Sequence, residues 1–172
     1  MDVLKTLFYQ TLLQLPADVL KAYFEAPAAS KHHQNYTGGL VEHSCKLASE
    51  LFKRTAEGGA TRNIIALTPK ECVVIGALHD LCKVGLYTLN EDGSYSTNKE
   101  LYPHHALRSV ELCAEYGIEL NQTERVCILL HMAGAWWNQE DVDALTESDR
   151  EWLLNHFDIV SAVQWADMKA CE

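Results

Sequence analysis

The sequence predicts an all-α fold with one short β-hairpin inserted into it. Apolar residues recur at helical spacing through most of the 172-residue chain. One pair of segments has the turn chemistry of a hairpin, and the chain has no internal repeat. The length suits one domain with a buried core, and we expect residues 1–172 to form that domain.

Helical periodicity begins at the N-terminus. Residues 3–14 and 17–25 each have an apolar face, and Pro16 separates them. The following stretch, 26–39, has no clear period, and its proline and paired glycines predict an irregular segment. Residues 40–56 are helical again, and a glycine pair ends this helix. Two short helices, an irregular segment and a longer helix therefore make up the first third of the chain.

The next predicted helix carries the residues of greatest chemical interest. Thr68 is a suitable N-cap, and Pro69 occupies the first helical position. The helix is apolar almost throughout and reaches His79 and Asp80 near its end, and Lys83 shares their face if the helix continues that far. A buried carboxylate needs a partner. The histidine and aspartate therefore either pair in the core or bind a metal ion, and a lysine beside that ion would suit a phosphate-handling site.

A hairpin signal follows directly after Lys83. Residues 86–89 and 94–97 are rich in strand formers, and the turn residues 90–93 lie between them. An isolated hairpin is only marginally stable, so we expect it to pack against the helices. Its position makes it either a wall or lid over the site, or a surface excursion.

Three further helices are predicted after the hairpin, over 103–117, 123–131 and 148–171. The acidic segment 132–144 contains Trp136-Trp137 and is predicted to be a loop. Trp136 is a candidate for stacking on a substrate base at the rim of a site, and a core position is the alternative for one of the two.

The net charge of −10 argues against one class of partner. A broad electropositive surface for duplex nucleic acid is not expected at this charge. A small anionic substrate remains compatible, because a metal site supplies its own positive charge.

Composition also bears on location. The apolar share of 48% and the charged share of 22% are ordinary for a globular protein, no apolar run is long enough to span a membrane, and the N-terminal segment lacks a signal-peptide layout. The six cysteines form no C-x-x-C pair and mostly lie in apolar helical patterns. They are typical of reduced thiols in a cytoplasmic protein, and a cysteine zinc site is not expected.

Six imidazole and carboxylate side chains occupy apolar helices or helix ends. Burying them without a common partner would cost several kcal/mol, and one or two metal ions would remove that cost. Asp80 could bridge two ions, and the mixed donors favour Mn, Fe, Zn or Ni over Mg or Ca. The candidate ligands are His43, His79 and Asp167 for one ion, His105 and His131 for the other, and Asp80 between them.

This pattern resembles the HD superfamily of metal-dependent phosphohydrolases, whose signature is an early histidine, a His-Asp doublet and a late aspartate on a helical bundle. His43, His79-Asp80 and Asp167 match that signature. The additional His105 and His131 resemble those of the two-metal members. The resemblance covers residues 26–171, which would form the HD core behind the N-terminal helices of residues 1–25.

Shorter stretches carry the same resemblance. Residues 26–43 are similar to the segment leading into the HD domain of bacterial 3′→5′ exoribonucleases, and His79 to Lys83 is similar to the family's His-Asp-x-x-Lys, with Cys82 where a small residue is common. Residues 103–110 and 130–134 resemble stretches of small HD hydrolases. His105 aligns with the ligand there, although the adjacent His104 is the alternative.

The resemblance implies hydrolysis of a phosphomonoester or phosphodiester by a metal-activated water, with a nucleotide-like substrate. Asp80 and Lys83 would be catalytic, and Lys83 would contact the substrate. Arg108 and Trp136 are further candidates for substrate contact from their own positions in the sequence. Arg108 could instead pair with Glu111. The acidic charge and the lack of a nucleic-acid-binding domain favour a small nucleotide over a polymer.

Two rival functions remain open at this point. Some two-metal HD proteins, the inositol and phosphonate oxygenases, hold two irons with a similar ligand set and activate dioxygen. A non-catalytic nucleotide-binding module is the other alternative. The adjacent His32 and His33 also have two possible roles, as anchors of their loop or as substrate contacts.

Overall fold

The computed structural model of the protein describes residues 3–98, 100, 105–132 and 138–172. These residues form eight α-helices and one two-stranded antiparallel sheet, so the predicted fold class is confirmed. None of the helices in these ranges has the length and apolar character needed to cross a membrane. The elements are α1 (Val3–Leu12), α2 (Ala17–Glu25), α3 (Gly39–Lys53), α4 (Pro69–Leu78), a 3₁₀ turn (Leu81–Lys83), β1 (Tyr87–Leu89), β2 (Tyr95–Thr97), α5 (His105–Glu115), α6 (Gln122–Leu129), α7 (Gln139–Asp143) and α8 (Glu147–Ala170).

Helix α4 begins where the sequence predicts. The Thr68 side chain accepts a hydrogen bond from the backbone N–H of Glu71, and the Glu71 carboxylate accepts one from the backbone N–H of Thr68. This reciprocal capping satisfies two amides that the helix itself leaves unpaired, and Pro69 has no amide N–H to satisfy. Helices α6 and α8 begin with the same arrangement, at Asn121 with Glu124 and at Thr146 with Asp149.

Helix α4 lies at the centre of the bundle. All of its residues from Cys72 to Leu78 are buried. Its side chains contribute to two apolar clusters, one shared with α3, α6 and α8 and the other shared with α1, α2, α3 and α5. Burial of each large apolar side chain in these clusters contributes about 1.5–3 kcal/mol. Packing on several sides therefore fixes the position of His79 and Asp80, which follow the C-terminal end of α4.

Helices α3 and α4 approach each other closely at Gly76. A Cβ atom at this position would lie 2.7 Å from Cβ and 2.8 Å from the backbone nitrogen of Ala48. Such distances are too short for real contacts, so this crossing needs a glycine. The approach brings His43, near the start of α3, beside His79, which follows the last residue of α4.

The helix does not continue to Lys83. Asp80 has φ −109° and ψ 21°, and a 3₁₀ turn follows it. Residues three apart align on one side of a 3₁₀ turn, so Lys83 still faces Asp80. The backbone N–H of Cys82 donates to Oγ of Ser109 at 3.2 Å, which ties the turn to α5.

The hairpin packs on the irregular segment between α2 and α3. Tyr87 pairs with Thr97 across the two strands, and Gly93 has the positive φ of 81° that the turn requires. The Tyr95 ring is largely buried, and its hydroxyl lies 3.2 Å from Oγ1 of Thr37. This contact holds the hairpin against the body of the protein.

Candidate metal centre

The structure brings the six candidate ligands into one cluster inside the bundle. They come from distant parts of the chain, and each is placed by the end or the inner face of a helix. His43 is on α3, His79 and Asp80 follow α4, His105 is the first residue of α5, His131 follows α6, and Asp167 is on the last turn of α8.

The first half of the cluster is centred on His43 and His79. Their Nε2 atoms lie 3.2 Å apart, and Oδ1 of Asp167 lies 3.0 Å from the first and 3.6 Å from the second. Oδ2 of Asp80 lies 3.2 Å from Nε2 of His79 and 3.7 Å from Nε2 of His43. Donor atoms about 2.1 Å from one ion lie about 3.0–3.4 Å from each other, so this spacing fits the ligands of a single cation.

The second half of the cluster is centred on Oδ1, the other carboxylate oxygen of Asp80. Oδ1 lies 3.1 Å from Nε2 of His105 and 3.8 Å from Nε2 of His131. The two carboxylate oxygens of Asp80 therefore face different histidine pairs. This is the arrangement expected of a carboxylate that bridges two ions.

Two buried atoms of the second half have no hydrogen-bond partner among the residues that the structure describes. They are Oδ1 of Asp80 and Nε2 of His105, which are close to each other without the alignment that a hydrogen bond needs. Unpaired polar atoms in a protein interior cost free energy. A shared cation would satisfy both atoms, so the residues present fit a metal ion.

Backbone carbonyls orient two of the rings. Nδ1 of His79 lies 3.0 Å from the carbonyl oxygen of Gly76, and Nδ1 of His131 lies 2.8 Å from that of Ile128. With Nδ1–H as the donor, Nε2 of each ring carries the lone pair and faces the cluster. Outer contacts of this kind fix the tautomer of metal-binding histidines.

The charged groups of the cluster shift one another's pKa values in opposite directions. Burial alone would lower the pKa of His79, but the carboxylates of Asp80 and Asp167 outweigh it and raise that pKa to about 10. Burial and the neighbouring His79 and His105 lower the pKa of His131 to about 3. The pKa of the Asp80 carboxyl is well below its usual value despite burial, because Lys83 and His79 stabilise the anion.

Lys83 is part of the same electrostatic network. Its Nζ lies 2.6 Å from Oδ2 of Asp80, and the residue is only 8% exposed. Burial would lower the pKa of this ammonium group, but Asp80 raises it instead, so the group stays charged.

A cavity of about 720 Å³ opens onto the cluster. Lys83 and four of the ligands (Asp80, His105, His131 and Asp167) form its floor, and the predicted hairpin forms part of its wall. Its volume is in the range of small-molecule sites. The lining residues outside the ligand set include Ser30, His32, His33, Tyr87, Thr97 and Met132.

One predicted substrate contact, Arg108, lies away from the cavity. Arg108 is not among the residues lining this cavity. Its guanidinium binds two carboxylates of its own helix instead, Glu115 at 2.6 Å and Glu111 at 3.3 Å. The pairing alternative therefore describes this arginine. Trp136, Trp137 and His104 lie outside the described residues.

Two further residues, His33 and Cys171, lie next to the cluster, and local sequence patterns do not assign them to it. His33 is half-buried, and its ring centroid lies 5.1 Å from that of His43. Cys171 lies one turn beyond Asp167 and lines the cavity. The His-His doublet and the helical spacing from Asp167 were visible in the sequence, but their convergence depends on a contact between residues more than 130 positions apart.

Comparison of the chain with protein-family models, with curated proteins and with solved structures finds no match.

Proposed function

We propose that the protein is a metal-dependent phosphohydrolase of the HD type, acting on a small nucleotide-like phosphoester. The observation that carries this proposal is the position of Asp80. Its two oxygens face separate histidine pairs, and Lys83 contacts it on the floor of a cavity.

The donor set determines which ions suit the cluster. His43, His79 and Asp167 would hold one ion with Oδ2 of Asp80, and His105 and His131 would hold a second with Oδ1. Imidazole and carboxylate together favour Mn, Fe, Zn or Ni. When bound, such ions would supply the Lewis acidity that lowers the pKa of water and polarises phosphoryl oxygens.

The protein's own residues would bind and orient the phosphoester. The Lys83 ammonium lines the cavity and keeps its charge, so it can donate hydrogen bonds to phosphoryl oxygens while Asp80 holds it in position. A preorganised cation of this kind stabilises charge that grows on a phosphoryl group in the transition state. The acidic protein as a whole would repel an anion, so the local positive charge of this site carries the recognition.

The cavity supports the proposed substrate class. Its volume of about 720 Å³ accommodates a mononucleotide and its phosphate, and the phenol ring of Tyr87 lies in the wall formed by the hairpin. An aromatic ring at such a place can stack on a base. The resemblance of the ligand pattern to the HD superfamily points to the same class.

The deciding experiment combines metal analysis with a substrate screen. Protein purified without chelator or nickel affinity should contain transition metal. It should hydrolyse members of a panel of phosphomonoesters and cyclic or linear phosphodiesters when Mn²⁺, Fe²⁺, Zn²⁺ or Ni²⁺ is supplied. Asp80→Ala should lose both the metal and the turnover. An Asp80→Ala variant with wild-type metal content and turnover would overturn the proposal.

The same assay separates the rival functions. Turnover under nitrogen with Mn²⁺ is expected of a hydrolase. Iron-loaded protein whose turnover needs dioxygen would instead indicate an oxygenase. Tight nucleotide binding without turnover under every metal would indicate a binding module.

A further inference from the structure

A second group of potential ligands lies beside the proposed metal pair. One donor atom from each of His33, His43 and Cys171 lies within 4.8 Å of the others. His43 belongs to both groups, whereas His33 and Cys171 have no part in the proposed hydrolysis. Both of these residues line the cavity.

Within the described part of the chain, two nitrogens in this group have no hydrogen-bond partner. They are Nε2 of His33 and Nδ1 of His43, and both atoms are buried. The unpaired Nδ1 of His43 differs from the Nδ1 atoms of His79 and His131, each of which faces a backbone carbonyl oxygen. The Cys171 thiol has only a weak contact, in which Sγ donates to the carbonyl oxygen of Asp167 at 3.3 Å. The group therefore has unused donor capacity on two rings.

The end of α8 and the irregular segment between α2 and α3 fix the positions of Cys171 and His33. Cys171 lies four residues after Asp167, so the two are on the same side of the end of α8. The side chain of Gln34, next to His33, donates from Nε2 to the carbonyl oxygen of Ala170 at 2.8 Å. This bond ties the irregular segment to the end of α8.

Gln34 also has a constrained backbone. Its φ of 42° is in the left-handed region, which non-glycine residues adopt at a cost. Its carbonyl oxygen accepts from the backbone N–H of Ala28 at 3.0 Å, and a Cβ at Gly39 would overlap that oxygen. The His33 to Cys171 juxtaposition is therefore built into the chain and does not depend on a loose loop.

We propose that His33, His43 and Cys171 form a separate binding site for a thiophilic divalent cation such as Zn²⁺, in the wall of the same cavity. Two imidazoles and one thiolate are a donor set that zinc accepts, whereas magnesium and calcium do not. On binding, the S–H proton of Cys171 leaves to solvent and a metal–sulfur bond forms. His43 would bind this cation through Nδ1 and keep its ring proton on Nε2, so the site would compete with the proposed metal pair for His43. A cation at this site would narrow the space available to a substrate.

This inference does not need the proposed hydrolysis to be correct. Its test is spectroscopic: Co²⁺ is titrated into the metal-free wild-type protein, and the near-ultraviolet thiolate-to-cobalt charge-transfer band is followed. Wild-type protein should show the band. Cys171→Ser should lose it, and the exposed Cys45→Ser should keep it as the matched control. His33→Gln should weaken the titration by at least about tenfold, since even an outer contact of a metal ligand is worth that much.

Three results would contradict the proposed site. Wild-type protein without the band at saturating Co²⁺, or a band that survives Cys171→Ser, would exclude Cys171 as a ligand. Unchanged titration of His33→Gln would exclude His33. Failure of the phosphohydrolase proposal would appear as metal-loaded protein without turnover, and it would leave the band unaffected.

Discussion

The Nε2 atoms of His43 and His79 lie 3.2 Å apart, and neither side chain is exposed to solvent. Two imidazoles this close cannot both point a proton at the other, so one ring must accept. A cation there would pair with Asp80 and Asp167 together, so we expect an occupied site to be more favourable than an empty one. The stability of the fold should therefore depend on metal.

The first prediction concerns thermal stability. Adding the preferred transition metal to chelator-treated protein should raise the free energy of unfolding by about 2.7 kcal/mol at a free metal concentration one hundred times Kd. Thermal melts with and without metal measure this, and Asp80→Ala is the control that should show little shift. Equal melting temperatures of wild-type protein in chelator and in metal would contradict the prediction.

The second prediction concerns Lys83, which contacts Asp80 but is not a proposed ligand. Lys83→Met removes the charge and keeps much of the volume, so turnover should fall by about 10²–10³ because transition-state charge is no longer stabilised. Metal content should stay near the wild-type value. Steady-state kinetics and metal analysis on the same preparation test both statements.

A lysine on the surface provides the control for this variant. Lys46 is 42% exposed at its side chain and pairs with Glu42, so Lys46→Met should change turnover little. If Lys83→Met lost its metal along with its activity, Lys83 would have a structural role in the cluster and not the catalytic one proposed.

The third prediction tests the crossing of α3 and α4. Gly76→Ala places a methyl group against Ala48, so we expect the helices to separate at a cost of about 1–3 kcal/mol. The separation would also displace His79 from His43, and metal affinity should fall with stability. Urea unfolding and a metal titration measure the two effects.

Ala48→Gly tests whether the steric clash at position 76, and not any substitution where α3 and α4 cross, destabilises the protein. It removes a methyl group and should cost only about 1 kcal/mol through helix propensity. The double variant should remain destabilised, because the methyl at position 76 would still lie 2.8 Å from the backbone nitrogen of residue 48. Full recovery in the double variant would show that backbone approach is not the limiting contact.

Local signals account for the features that the sequence predicts well. The capping residues Thr68 and Pro69 fix the start of α4, and His79 and Asp80 are adjacent in the chain. Helical spacing places the remaining candidate ligands on buried faces. Such features depend on residues within a few positions of each other, so a single sequence is enough to predict them.

Features that depend on distant contacts could not be predicted in the same way. The end of α4 at Leu78 reflects the packing of the 3₁₀ turn on α5, through the bond from Cys82 to Ser109. The approach of His33 to Cys171 depends on Gln34, whose left-handed backbone and bond to the end of α8 have no sequence signature. Tertiary contacts determine these positions, so propensity alone does not reveal them.

The last prediction concerns Tyr23, a fully buried residue of α2 that packs behind the cluster of histidines and aspartates. Its hydroxyl lies 2.7 Å from Oγ of Ser44 and 2.7 Å from the carbonyl oxygen of Ala77. These two residues are the chain neighbours of His43 and of Leu78 at the end of α4. Tyr23→Phe would leave both partners without this bond in the interior, at a cost of about 1–3 kcal/mol.

The matched control is Tyr36→Phe. Its hydroxyl also makes a 2.7 Å hydrogen bond, to Glu42, but that bond is at the surface. Water can replace the partner there, so the loss should be within about 0.5 kcal/mol. Urea unfolding of the two variants under identical conditions measures the difference. If both variants lost the same free energy, burial of the Tyr23 hydroxyl would not be what makes its bonds important to the junction of α2, α3 and α4.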